Sequence, residues 1–240
     1  MSKLRLDKYL ADMGVGTRQE VKALIRKGRV AVDGITAKAP ELKVDPDEAQ
    51  VTVDGNSISY VKMEYWMLHK PAGVVSATED RRDRTVLDLL SGAARKDLFP
   101  VGRLDKDTSG LLLLTNDGDF AHRVISPKSG IEKLYYAEVD GTPDEADVKA
   151  FEDGIVLGDG TKCLPAKLVP LGGNRCHVIV MEGKYHQVKR MLASRGKPVV
   201  KLRRLAVGAL ELDPTLAPGE AKELGGGDIA KVLGSFVLDN

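Results

Sequence analysis

Cysteine is nearly absent: the 240 residues hold two, Cys163 and Cys176, and neither belongs to a Cys-x-x-Cys pair. That excludes a disulfide framework and fits a reducing compartment. Histidine is almost as sparse. His69, His122, His177 and His186 lack the i, i+4 or paired spacing of zinc ligands, so no metal site is expected. No apolar run approaches the roughly 20 residues that span a bilayer, and the segment MSKLRLDKYL lacks the apolar stretch of a secretory signal. A cytoplasmic protein without membrane attachment is therefore expected. There is also no internal repeat, and no Gly-rich phosphate loop set in a regular βα alternation, which argues against a doubly wound fold.

What is present is a composition of 42% hydrophobic and 30% charged residues. A chain of this length can bury a proper core, as one large domain or as a small module followed by a medium one. The net charge of +1 conceals its distribution. Residues 1–30 carry eight cations against three acids, and the block Lys184 to Arg204 carries eight cations and no acid. Two separated basic blocks suit a protein that grips a phosphate backbone in two places, and equally suit solvated helix faces balanced by acids elsewhere.

In the first block Leu6, Tyr9 and Leu10 recur at helical spacing; a break at Gly14-Val15-Gly16-Thr17 follows, and Val21, Leu24 and Ile25 repeat the pattern. Thr17 with Glu20 forms a predicted capping box. Arg29 to Gly34 alternates and ends in Asp-Gly, a strand entering a tight turn. Arg18, Lys22, Arg26 and Lys27 recur at spacings that place several cations on one side of the second helix, toward phosphate. Pro40, Pro46 and the acids between Glu41 and Glu48 mark loops, and residues 56–62 read as a linker. The module is expected to span residues 1–58 and the larger domain residues 62–236.

In the larger domain, strands are predicted at Tyr65–Leu68, Val139, Ile155-Val156, Val178–Val180 and Val199-Val200, and a strand or helix start at Leu111–Leu114. Helices are predicted at Val86–Leu90, Pro143–Glu152 and Tyr185–Arg195. The expectation is an α+β fold: a small α/β module followed by a mixed, largely antiparallel sheet. The segment Gly102-Arg103-Leu104-Asp105-Lys106-Asp107-Thr108-Ser109-Gly110, followed by four leucines, sets a turn of ionisable groups against the core, where a carboxylate can be held rigidly. On residue chemistry alone this is equally a surface loop entering a strand.

Resemblance adds to this reading. Arg5-Leu6-Asp7-Lys8-Tyr9-Leu10, Arg18 and Gly28-Arg29-Val30-x-Val32-Asp33-Gly34 resemble the small S-four-like RNA-binding domain of several RNA-modifying enzymes. The resemblance implies RNA contacts at Arg5, Lys8, Arg18, Lys22, Arg26 and Lys27. GRLDKDTSGLLLLTNDG resembles the signature of pseudouridine synthases that modify ribosomal RNA, in particular the small-subunit, RsuA-type branch. Three further segments match in order: Leu68-His69-Lys70-Pro71-Ala72-Gly73, with His69 in place of the commoner asparagine; Glu132-Lys133-Leu134-Tyr135; and Glu182-Gly183-Lys184-Tyr185-His186-Gln187-Val188-Lys189-Arg190-Met191.

What the resemblance implies is an isomerase without a cofactor. Asp105 would be the catalytic carboxylate, Lys184 its basic partner and Tyr135 the ring facing the uracil. Arg103, Lys133, Gln187, Leu202 and Arg203 would bind substrate, and Lys189 and Arg190 would contact RNA. Whether Asp105 attacks ribose carbon 1, attacks carbon 6 of the base or removes a ribose proton stays open. The implied partner is 16S ribosomal RNA or an assembly intermediate, met by a monomer. The alternatives are a large-subunit enzyme of the same chemistry, a non-catalytic RNA-binding assembly factor, and a metal-dependent RNA hydrolase using Asp105 with Asp107 or Asp117.

Overall fold

The computed structural model describes residues 3–234, so the expected domain end at residue 236 lies outside the described residues. The chain divides into two compact units, one formed by Met1–Glu64 with Gly92–Leu98 and the other by Tyr65–Ser91 with Phe99–Asn240.

The first unit runs β1 (Leu4–Arg5), α1 (Leu6–Asp12), α2 (Arg18–Arg26), β2 (Val30–Val32), β3 (Ile35–Thr36), β4 (Lys43–Val44), β5 (Val51–Val53) and β6 (Asn56–Ile58). Leu6, Tyr9, Leu10, Val21 and Ile25 turn one face of each helix onto Val30, Val44 and Val51 of the strands. Thr17 caps α2 reciprocally with Glu20, an arrangement worth about 1 kcal/mol. Between β2 and β3, Asp33 and Gly34 both take positive φ (52° and 79°), as a two-residue hairpin turn requires.

Residues 56–62, read above as a linker, belong to this unit. Asn56–Ile58 pairs with β5, the Tyr60 ring packs on Tyr9, and its hydroxyl donates to Asp12. Polar composition concealed an edge strand. Arg95 of the 92–98 segment is almost wholly buried here, donating to Asp97, the Tyr60 hydroxyl and the Val61 carbonyl. A guanidinium with five donors can satisfy that many partners at once, which explains why a segment so distant in sequence joins this unit.

The second unit contains β7 (Tyr65–Lys70), β8 (Phe99–Pro100), β9 (Ser109–Thr115), α3 (Gly118–Ile125), β10 (Lys133–Val139), α4 (Glu145–Asp153), β11 (Lys167–Pro170), β12 (Arg175–Val180), α5 (Gln187–Ser194), β13 (Val199–Val207), β14 (Leu210–Glu211), β15 (Ala221–Glu223) and α6 (Gly226–Val232). Its sheet runs β11-β12-β10-β13-β9-β7-β15, with β14 on β13 and β8 on β9. Every pairing is antiparallel except β9 with β13, giving the mixed, largely antiparallel α+β architecture expected. Leu111–Leu114 is strand rather than helix, and all four leucines are buried, alternating between the two faces. Each contributes roughly 1.5–3 kcal/mol of burial. Ile155-Val156 forms an isolated bridge to Lys162 rather than a strand, and the 86–90 segment is a single 3-10 turn. Among the described residues no helix is long and apolar enough to cross a membrane.

The parallel join depends on Gly110. It faces Arg204 in register at φ 109°, and a Cβ placed there would lie 2.1 Å from the Arg204 carbonyl oxygen. Gly110→Ala is expected to cost roughly 2–4 kcal/mol through strain and overlap, lowering the thermal midpoint by about 5–15 °C. Gly172→Ala, at φ 85° with nothing within 4 Å of the added Cβ, should cost clearly less. Circular dichroism melts of both variants check this; equal losses would sink the close-approach explanation.

Candidate active site

The loop between β8 and β9 carries Arg103, Asp105 and Asp107, and three groups pin its backbone. Ser76 Oγ donates to the Leu104 carbonyl (2.8 Å) and accepts from the Leu104 N–H (3.0 Å). The Gly73 N–H donates to the Lys106 carbonyl at 2.7 Å. Lys70, fully buried at the end of β7, points its ammonium at the carbonyls of Pro71 (3.1 Å), Asp105 (3.0 Å), Lys106 (3.4 Å) and Thr108 (2.9 Å). Burial pushes that ammonium down to about 8, against the pull of Asp107 and Asp105. His69, beside it, is also buried; its Nδ1 lies 2.7 Å from the Leu216 carbonyl.

With its backbone held, the Asp105 carboxylate turns toward the amino end of α5. Oδ2 lies 3.0 Å from Lys189 Nζ and Oδ1 lies 3.4 Å from His186 Nε2. Lys189 also meets Asp107 at 2.5 Å. Burial works against the Lys189 charge, but its bonds to Asp107 and Asp105 outweigh this and hold it above the ordinary lysine value. The same bond lowers Asp107 against its own burial. A carboxylate at a helix amino end gains further from the helix dipole.

Lys184 does not make the pairing expected of it. Its ammonium binds Glu182 (2.9 Å) and the Lys162 carbonyl, so although it lines the same cavity the ion pair to Asp105 comes from Lys189. Lys184 lies on the loop that leads into the helix, whereas Lys189 stands on its first turn beside the carboxylate. Lys189 was expected to contact RNA and is instead committed to Asp105 and Asp107; Arg190, given the same role, pairs with Asp159. Gln187 lines the cavity, but its amide is spent bracing the loop, accepting from the Lys184 N–H and donating to Glu182.

Tyr135 on β10 and Leu202 on β13 also line the Asp105 cavity. Arg204, directly across from Tyr135, donates from Nε to the Leu111 carbonyl (2.8 Å) and from Nη1 to the Tyr135 hydroxyl (3.4 Å). Sequence reasoning missed Arg204, though strand alternation from Leu202 would have found it. By the same alternation Arg203 falls on the other face of the sheet, opposite Tyr136, and lines none of these cavities. That corrects its expected substrate role. Lys133 lines an adjoining cavity with Tyr135, Arg103 and Arg204; it donates to the Ile131 carbonyl at 2.7 Å, and burial with repulsion from Arg204 brings it down to about 8. Arg103 is exposed and has no side-chain partner among the described residues. Asp117, weighed as a metal ligand with Asp105, instead caps α3 and receives the Tyr65 hydroxyl.

In the first unit, Arg5 is paired with Asp7 and Lys8 with Asp12. Arg18, Arg26 and Lys27 are exposed and form no ion pair among the described residues, while Lys22 is half-buried.

Against known proteins, residues 64–194 match the family model described as RNA pseudouridylate synthase, and residues 4–49 match the S4 domain. The chain belongs to the RNA pseudouridylate synthase family. It is 47% identical over 226 residues to an uncharacterized RNA pseudouridine synthase of Bacillus subtilis, covering 92% of this chain and 95% of the relative. It is 41% identical to the ribosomal small subunit pseudouridine synthase A of Vibrio cholerae, covering 95% and 99%. A crystal structure of a pseudouridylate synthase superposes with a TM-score of 0.67 at 34% identity, covering 95% of this chain and 99% of that one. This RNA pseudouridylate synthase is thus an S4 domain followed by a catalytic domain, with the signature loop at the cavity.

Lys70 generates a two-sided expectation. Its folded-state value lies below the unfolded value of 10.5, so its charge costs stability fully below about pH 8, and the cost is relieved as pH rises toward 10.5. Activity should move the opposite way, falling through about pH 8 as the loop loses a donor. Lys70→Met leaves four carbonyls without that donor, at about 1–3 kcal/mol for each that stays unsatisfied. The variant should melt lower at pH 7 and lose the alkaline rise in stability that Lys70 confers. Urea titrations across pH 7–10 measure both; a variant as stable as the parent at pH 7 would remove Lys70 from this role.

Proposed function

We propose that this pseudouridylate synthase isomerises a specific uridine of small-subunit (16S) ribosomal RNA, with Asp105 as the essential catalytic residue and Tyr135 facing the uracil. The observation that carries the reading is the Asp105 carboxylate, ion-paired to Lys189 at 3.0 Å in a cavity that Tyr135 and Leu202 also line. The named relatives point to the small subunit. The reading includes a cytoplasmic monomer acting on naked 16S RNA or an assembly intermediate.

The reaction breaks the bond between ribose carbon 1 and the uracil nitrogen, turns the base and joins carbon 1 to carbon 5; carbon 5 gives up its proton and the freed ring nitrogen takes one up. It is an isomerisation, so atoms balance without a redox partner. Each of the three routes open to Asp105 needs an ionised carboxylate within reach of the nucleoside. Lys189 Nζ, 3.0 Å from Oδ2, is the counter-charge the carboxylate faces. Tyr135 supplies a flat face for the detached base, and Arg204 fixes its hydroxyl. A paired uridine must leave its helix to enter, and the unpartnered Arg103 at the mouth is placed to meet phosphate.

Pseudouridine mapping of ribosomal RNA from cells lacking the protein, complemented with the intact chain or Asp105→Ala, tests the assignment. One small-subunit uridine should lose its modification and regain it only from the intact chain, with Asp105→Ala slower in vitro by about a thousandfold or more. Restoration by Asp105→Ala would overturn the catalytic role, and loss at a large-subunit uridine would overturn the target.

The S4 domain should contribute sequence-independent affinity through Arg18 and Arg26. Replacing both with alanine is expected to weaken RNA binding similarly across sequences and to lower the slope of log affinity against log salt by about one per cation removed. Filter binding between low and physiological salt measures this; an unchanged slope would take both residues off the phosphate backbone.

A further inference from the structure

Tyr185, 75% exposed, lays its ring on His186 with centroids 3.8 Å apart and planes 20° from parallel. A large aromatic ring left that open gains almost nothing for folding. His186 holds a positive φ of 48° at the start of α5, and its other neighbour is the Asp105 carboxylate. The stacked pair therefore stands against the catalytic carboxylate, displayed outward.

Both rings line an open cavity of about 560 Å³ shared with Asp105, Arg103, Lys106 and Lys184. That volume lies within the roughly 300–1,000 Å³ of ordinary ligand sites. Ile125, 46% exposed, adds an apolar wall. Lys106 and Lys184 have acidic partners in Asp83 and Glu182, whereas Arg103 has none among the described residues. A flat aromatic face beside an unpaired guanidinium is the combination by which proteins hold single-stranded nucleic acid, rings taking bases and cations taking phosphates.

We infer that the Tyr185–His186 stack is a subsite for the nucleotide next to the target uridine, whose unpaired base stacks on the exposed Tyr185 ring while its phosphate meets Arg103. The inference rests on the proposed RNA reaction and extends it: Tyr185 becomes a binding residue for the flanking sequence, outside the bond-breaking machinery. A base held there keeps the strand from restacking over the vacated position, so the subsite helps hold the uridine out of its helix. Stacking is tolerant of base identity, and the subsite therefore demands an unpaired neighbour more than a particular one.

The test uses short single-stranded RNA carrying one uridine, with the fluorescent base 2-aminopurine immediately 5′ or 3′ of it, bound to the full chain. Fluorescence should be quenched at one of the two placements, retained as quenched with Tyr185→Phe and restored with Tyr185→Ala. Affinity should fall about tenfold in Tyr185→Ala alone. On the mapped substrate, Tyr185→Ala should raise KM about tenfold and leave kcat within about twofold, which a structural role for the ring would not do. Quenching at neither placement, or Tyr185→Ala binding within about twofold of the parent, overturns the subsite. Asp105→Ala separates the two readings: it should abolish turnover and preserve the quenching. Quenching that follows Tyr185 while Asp105→Ala stays active would leave the subsite standing and remove the catalytic assignment.

Discussion

A single buried ammonium organises the catalytic loop. Among the described residues Lys70 has no carboxylate within bonding distance; its partners are carbonyl dipoles, three of them from the loop containing Asp105. Burying a cation this way costs several kcal/mol before its hydrogen bonds are counted, and the depressed proton affinity records that cost. The return is positional. Asp105 is held by two different cations, Lys70 on its main-chain carbonyl and Lys189 on its carboxylate. Because the backbone is fixed independently, the carboxylate can change partners in the proposed reaction without releasing the loop. A site that relied on Lys189 alone would lose its geometry whenever the carboxylate engaged substrate.

The second wall is set by the parallel join of β9 and β13. Gly110 lets the two backbones meet, which places Arg204 where its guanidinium reaches the Leu111 carbonyl on one side and Tyr135 on the other. The glycine just beyond the signature loop is thus part of how the tyrosine is aimed. The loop leads into β9 and the tyrosine stands on β10, with β13 hydrogen-bonded between them, so Asp105 and Tyr135 are spaced by the sheet rather than by flexible connections.

Much of this was legible in the residues. Periodicity located α1, α2, α4, α5, β7 and β9, and the ordered motifs located the loop, the tyrosine and the helix that meets them. What was missed follows from geometry that spacing cannot express. Lys184 and Lys189 lie in one motif, and choosing between them required knowing where α5 begins. Arg203 and Arg204 are adjacent, and only the phase of the strand separates the cavity face from the back. The 56–62 segment is polar because it is an edge strand, which shares its composition with linkers. Arg95 gave no signal, since its partners Tyr60 and Val61 are more than thirty residues away.

Charge counting needs the sharpest revision, and it bears on how RNA is met. The second basic block suited a phosphate grip and a balanced face equally, and its cations are largely spoken for: Lys184 by Glu182, Lys189 by Asp105 and Asp107, Arg190 by Asp159, Arg195 and Lys197 by Asp147, and Arg204 by a carbonyl and a tyrosine. A cation already paired offers phosphate little, because binding there must first break the internal pair. Among the described residues Arg18, Arg26 and Lys27 of the S4 domain form no ion pair, and neither do Arg103 or the exposed Arg81, Arg82, Arg84, Arg123 and Lys128 of the second unit. In the proposed reading the exposed charges of α2 hold the backbone without selecting sequence. Around the Asp105 cavity the cations other than Arg103 already have partners among the described residues, so in the proposed reading the site selects by shape and stacking, and that division lets one domain hold RNA broadly while the other accepts only a nucleotide that can be drawn out beside Asp105.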